Sequence, residues 1–320
     1  MRRIVLTAIA VVAAVTISAR DPLQAQTDRR GANYFPNLPV VTQDGKTLKF
    51  YDDVIKDKIV LISFIYTNCP DICPLTTARL TQVEDQLGDI AGRDIFFVSM
   101  TVDPDRDTPE RLKEFATAFG IGPGWLFLTG TPEDIRAINY KLGERSRRLS
   151  DHRNEIVLGN DRTGEWARDT ALGDLNRLVM TIRDMDPKWR DQDHTSGPSA
   201  GADTLLPLSQ QPGQAMFKKI CAPCHTIGVG DRVGPDLRGV TQRRERAWLS
   251  SFIREPAKMR AQQDPVALAL AAKYPGVHMP TLRVSEIDAA DLIAYIDAQT
   301  ARLTDGAQDA PAASHQHHQH

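Results

Sequence analysis

Hydrophobic and polar positions divide the chain into an interleaved block and a helical block. From about residue 33 to 186, strand-like and helix-like patterns alternate. Lys58–Tyr66 (KIVLISFIY) is an unbroken β-branched and aromatic run, as a strand covered on both faces requires. Asp94–Val102 (DIFFVSMTV) repeats that pattern, and Leu75–Leu87 between them reads as a helix. Thr108-Pro109-Glu110 sets a capping residue before a proline suited to the first helical position, and the helix it opens runs to Phe119 and stops at Gly120. Trp125–Leu128 predicts a short strand and Glu133–Leu142 a helix. Glu155–Leu158 and Gly164–Ala167 predict a hairpin about Asn160-Asp161-Arg162-Thr163-Gly164. Strands interleaved with helices and closed by a hairpin predict an α/β domain over 33–186.

The pattern then lapses. Residues 187–212 are polar and rich in Gly, Ser and Pro with no sustained period, which reads as a linker. From 213 to 303 the period turns helical: Ala215–Ile220, Glu245–Glu255, Pro265–Lys273 and Glu286–Leu303 predict an all-α domain with Gly/Pro loops. Residues 304–320 read as a flexible tail ending Ser-His-Gln-His-His-Gln-His, a His-rich tract of the kind that holds metal loosely. At the other end, Met1-Arg2-Arg3 precedes an uncharged, mostly apolar run of 16 residues, Ile4–Ala19, closed by Arg20-Asp21. Residues 1–25 therefore read as a signal peptide with cleavage after Leu23-Gln24-Ala25, or as an uncleaved N-terminal anchor. Both place the chain in the periplasm or otherwise outside the cytoplasm. Membrane association is expected only through an uncleaved N-terminus.

Composition narrows the function. A length of 320 residues suggests about two domains. Hydrophobic residues at 41% and charged residues at 25% are globular values. A net charge of −2 gives no electrostatic footprint for nucleic acid. Only four cysteines occur, in two tight pairs, Cys69/Cys73 and Cys221/Cys224. A chain this long does not need staples, so the pairs point to chemistry.

Cys221-Ala222-Pro223-Cys224-His225 is C-x-x-C-H, the attachment pattern of a c-type haem. Two thiols three positions apart can each form a thioether to one haem edge, with His225 held beneath the iron. A thioredoxin-like C-x-x-C or half a zinc site would share the spacing. Export, an all-α surround and the lack of a second C-x-x-C or His pair favour haem. The sixth ligand expected is Met279, 54 residues after His225, because a thioether opposite His raises the potential and suits electron transfer. Met216, Met259 and His278 are the competitors. Gly213, Phe217, Gly234-Pro235-Asp236-Leu237, Leu292 and Tyr295 complete a pattern that resembles the class I cytochrome c family.

Cys69-Pro70-Asp71-Ile72-Cys73-Pro74 follows the first strong strand and precedes a helix. Pro74 disfavours helical geometry at Cys73, so both thiols are expected in the strand-to-helix loop. There the positive end of the helix favours thiolate, while Asp71 opposes it. Two thiolates can form a disulfide or bind a soft metal, and an added imidazole suits both Cu(I) and Cu(II). His152 in Asp151-His152-Arg153 is the imidazole available; a solvent-exposed loop histidine is its plain alternative. Tyr66-Thr67-Asn68-Cys69-Pro70-Asp71-Ile72-Cys73-Pro74 and Val102-Asp103-Pro104-Asp105-Arg106-Asp107-Thr108-Pro109, with Asp151-His152, resemble the motifs of the Sco/SenC family. That resemblance implies a thioredoxin-like fold over 33–186 and copper on Cys69, Cys73 and His152. It also implies copper delivery to, or thiol reduction of, the copper centre of a terminal oxidase or related copper enzyme. Arg153 departs from the usual small polar residue and adds charge near the metal. Asp103 and Asp107 are expected to shape their loop rather than ligate.

Dithiol couples lie at roughly −120 to −300 mV, whereas His/Met ligation raises haem potentials, so haem reducing a disulfide would run uphill. Exchange of one electron between haem and a copper couple is the easier coupling. A metallochaperone with a haem electron carrier is therefore expected. A thiol-disulfide oxidoreductase, or a peroxidase-like enzyme, using Cys69 and Cys73 without copper is the alternative.

Overall fold

The computed structural model describes residues 30–192 and 211–308. The N-terminal stretch expected to direct export, most of the expected linker and the His-rich end lie outside the described residues. Seven strands form one sheet: β1 (Pro39–Thr42), β2 (Thr47–Lys49), β3 (Ile59–Ile65), β4 (Ile95–Thr101), β5 (Trp125–Thr129), β6 (Ile156–Asn160) and β7 (Glu165–Asp169). Their order is β2-β1-β5-β4-β3-β6-β7. The central β3, β4 and β5 are parallel, and β6 and β7 return antiparallel as the predicted hairpin. This parallel centre with an antiparallel hairpin edge is a thioredoxin-like arrangement.

All seven residues of β3 are buried, as its unbroken hydrophobic run requires. Its alternation divides two cores. Ile59, Leu61 and Ile65 face a core closed by helices α1 (Cys73–Leu87), α2 (Pro109–Phe119) and α4 (Leu175–Arg183). Val60, Ile62 and Phe64 face the other, closed by α3 (Pro132–Leu142) and the helical turn Phe50–Ile55. The polar exception, Ser63, is satisfied by Ser99 Oγ at 2.9 Å, and Ser99 also accepts from the Trp125 indole at 2.9 Å. Thr108 caps α2 as expected, its side chain accepting from the Arg111 N–H.

The helix after β3 begins at Cys73 rather than after Pro74, which corrects the expectation that both thiols sit in the loop. Pro74 falls inside the first turn, where backbone N–H groups have no intrahelical partner, so its missing donor costs nothing. The second unit holds the helical segment Gln214–Cys221 and the helices Arg246–Arg254, Pro256–Ala261, Pro265–Lys273 and Glu286–Gln308. Pro256 splits the run after Glu255 into a second helix. The final helix continues to Gln308, past the predicted end at Leu303. First and last helices cross with Phe217 and Tyr295 ring centroids 5.2 Å apart. At that crossing Gly213 has φ +80°, and a Cβ there would collide with the backbone of Asp291 and Leu292.

Candidate functional site

The loop Tyr66–Ile72 leaves the carboxyl end of β3, where open α/β sheets place their chemistry. Asp107 anchors it. This buried carboxylate accepts the Thr67 N–H at 3.1 Å and the hydroxyls of Thr67 and Thr101 at 2.6 Å each. Asp107 thus shapes the loop from the side of the β4–α2 connection.

Cys73 is fully buried and Cys69 retains 7% exposure. The thiols bond to each other, and this pairing splits them. The bond from Cys73, helped by backbone N–H groups of Cys73 and Asp71 and by the Tyr66 hydroxyl, brings Cys69 down to about 6 against the push of burial. The same pairing, then burial, pushes Cys73 well up. At neutral pH the pair therefore holds one negative charge, centred on Cys69. Alkylation of the reduced chain across pH, read by mass spectrometry, should modify Cys69 first, with a midpoint near 6. A midpoint at the ordinary thiol value of about 8.5 would contradict this electrostatic picture.

His152 follows the turn Leu149–Asp151, and only 3% of its side chain is exposed. Its Nδ1 lies 3.0 Å from Glu144 Oε2 and its Nε2 3.1 Å from the Phe64 carbonyl oxygen. The Tyr66 ring stands edge-on to it, with centroids 6.4 Å apart, and the Tyr66 hydroxyl bonds Cys69. His152 is therefore one aromatic ring away from the thiols, with both ring nitrogens engaged, and not the exposed loop histidine of the plain alternative. Among the described residues no three His, Cys, Asp or Glu side chains gather as a metal-binding group. Metal ligation through His152 Nε2 thus requires it to leave the Phe64 carbonyl, while Nδ1 can keep Glu144 as its partner.

Glu144 went unnoticed in the sequence because an acid eight positions before a histidine carries no spacing signal. Burial pushes its carboxyl up, but bonds with His152 and Ser146 outweigh that and bring it to about 2. A depressed carboxyl adds stability above its unfolded value of 4.5 and loses it as pH falls towards 2. Glu144→Ala should cost about 1–3 kcal/mol in urea unfolding at neutral pH. The difference from wild type should narrow as pH falls below 4.5.

The second pair lines a cavity of about 260 Å³ with predominantly apolar walls, including Val233, Leu237, Trp248 and Leu249. Cys221, Cys224, His225 and Met279 all face into its lining. His225 Nδ1 bonds the Pro235 carbonyl oxygen at 2.9 Å, which leaves Nε2 for a metal. Gly234 permits this approach, since a Cβ there would lie 2.9 Å from His225 Nδ1. Met216 packs in the helical core instead, and Met259 is not part of the lining. Burial pushes both Cys221 and Cys224 up to about 12, so they stay neutral thiols where Cys69 is a thiolate. Two thiols, a histidine with one nitrogen fixed, a thioether and apolar walls fit a c-type haem. Arg260 is a further wall residue that the sequence did not signal. It is half-buried, with Nη1 3.4 Å from the Met279 carbonyl oxygen, and lacks an acidic partner among the described residues.

A thioredoxin-like unit with a paired thiol and thiolate at a helix start, joined to a helical haem-type unit, defines the class. The SCO1/SenC family profile matches residues 27–158 and the cytochrome c profile residues 210–300. The chain belongs to the Sco/SenC family, with a cytochrome c unit fused to it. A protein of Stutzerimonas stutzeri named for copper binding is 32% identical over 160 residues, covering 47% of this chain and 76% of that protein. The SCO1 homolog of Bacillus subtilis is 38% identical over 89 residues, 28% of this chain and 45% of its own length. The chain spans about half the length of the SCO relatives from Bacillus subtilis and Rickettsia felis. A SCO1/SenC family lipoprotein of Bacillus anthracis is 24% identical, with a TM-score of 0.42 over 47% of this chain and 94% of that one.

Proposed function

We propose that this chain is an exported copper chaperone that serves the assembly of a copper centre in a terminal oxidase or related copper enzyme. The observation that carries this reading is the unequal pair Cys69/Cys73, a thiolate and a buried thiol held together at the start of α1. Copper is the cargo. Cys69 and Cys73 grip it, and His152, its Nε2 released from the Phe64 carbonyl, completes a ligand mix suited to both copper states. In the second unit, Cys221 and Cys224 hold the haem covalently, His225 and Met279 are its axial ligands, and the haem supplies one-electron transfer. The basic, apolar N-terminal sequence supports export to the periplasm or an equivalent compartment.

The test uses the copper-loaded full chain and the metal-free copper-binding subunit of a terminal oxidase. Copper is expected to leave the chain and appear in the subunit, and His152→Ala is expected to impair the loading that precedes transfer. If metal-free chain instead reduces a disulfide in that subunit, and His152→Ala does so equally, the oxidoreductase reading replaces this one.

A further inference from the structure

The two redox loops are in contact. Thr281, two residues after Met279, donates its N–H to the carbonyl oxygen of Pro70, the neighbour of Cys69, at 2.8 Å. Arg79 lies on α1, six residues past Cys73, and is 5% exposed. It donates to the carbonyl oxygens of Ala171 and Gly173 in its own unit, and through Nη1 to Lys219 O at 2.8 Å, two residues before Cys221. Pro74 and Leu75 form part of the wall of the haem-type cavity. Val233, Val277 and Cys224 pack into the same apolar cluster as Cys69 and Cys73. Gly276, at φ +80°, lies against α2, where a Cβ would come within 2.9 Å of Glu114 Cγ and its carbonyl oxygen.

These contacts converge on the segments that carry the ligands of both sites, Pro70–Leu75 on one side and Lys219–Cys224 with Gly276–Thr281 on the other. A linker of about 25 residues would bring the units together in many orientations, with nothing to favour this one. A buried guanidinium that spends its donors on three backbone carbonyls, one of them across the boundary, does favour it. Prolines at 70 and 280 fix φ on both sides of the Thr281–Pro70 bond and stiffen the junction.

We propose that the Met279–Thr281 segment and the Cys69–Pro70 segment form a built-in electron-exchange junction between the cytochrome unit and the copper loop. The inference rests on the copper and haem assignments above. From Met279 to Cys69 the route is covalent except for one backbone hydrogen bond. The exchange it serves balances at one electron: Cu(II) held by Cys69, Cys73 and His152 becomes Cu(I) as the ferrous haem becomes ferric, and no proton or disulfide is needed. In the docked state the cytochrome unit is the copper loop's own redox partner.

The test uses the full chain with haem in place and one Cu(II) loaded. Its haem is reduced by a light flash with a photoreductant, and haem re-oxidation is followed by absorbance. First-order re-oxidation with a rate constant unchanged on dilution is expected. Thr281→Pro, which removes the donor, should slow it by about tenfold or more, as misplacement of a reacting pair does. Glu114→Trp acts from the thioredoxin-like side by adding bulk against Gly276, and should slow it similarly with an unaltered haem spectrum and copper content. A rate that scales with protein concentration, or that both variants leave unchanged, overturns the junction while leaving the copper assignment intact. Failure of the wild-type chain to hold copper overturns the function reading itself.

Discussion

Cys73→Ser is expected to abolish tight copper binding. The thiol is fully buried, and its bond to Cys69 is the largest contribution to Cys69 being a thiolate. Serine removes one soft ligand and weakens the other, because Cys69 then loses its principal stabilising donor. The loss of Cu(I) affinity, measured by competition with a chromophoric chelator, should exceed the roughly 10- to 100-fold that loss of an outer partner costs a metal site. The fold should survive, since serine is smaller than cysteine and α1 keeps its packing through Leu75, Leu80 and Val83. An affinity within a few-fold of wild type would mean that Cys73 is only a packing residue.

The second large effect concerns the helical unit. On the proposed haem assignment, Cys221→Ser/Cys224→Ser removes both thioether bonds, and the cavity of about 260 Å³ loses its covalently held occupant. Apolar walls such as Val233, Leu237, Trp248 and Leu249 would then meet water instead of the haem, at a cost of roughly 25 cal/mol per Å² of apolar surface. A small domain has only about 5–15 kcal/mol of stability in all. The double variant should therefore lose the helical circular dichroism of residues 213–308 and gain protease sensitivity there. The sheet unit should stay folded, because its two cores on either side of β3 are built mainly from its own residues, the helical unit adding only Val233, Val277 and Cys224 to one of them. A fully helical, protease-resistant double variant would show that the unit folds without haem.

Much of this was legible along the chain because it is local. The run at β3, the Thr108-Pro109 cap and the C-x-x-C-H pentapeptide each carry their meaning within a few residues. Pro74 misled because a rule about the residue before proline competes with the tolerance of a helix's first turn for proline, and the first turn won at Cys73. The partners of His152 were not legible. Glu144 and the Phe64 carbonyl meet it through tertiary packing across 8 and 88 positions. The junction was hidden for the same reason, since Arg79 and Lys219 are 140 positions apart. Chemistry-bearing residues were found by motif; the groups that restrain them were found only by the fold.

The most direct measurement is a copper titration of the reduced, haem-loaded full chain, followed by dialysis, metal analysis and absorption spectroscopy. The account predicts one copper retained per chain, with a thiolate-to-Cu(II) absorption band for the oxidised metal. Retention should be lost in Cys69→Ser and weakened in His152→Ala. Copper held equally well by Cys69→Ser, or no copper held by the wild-type chain, would contradict it.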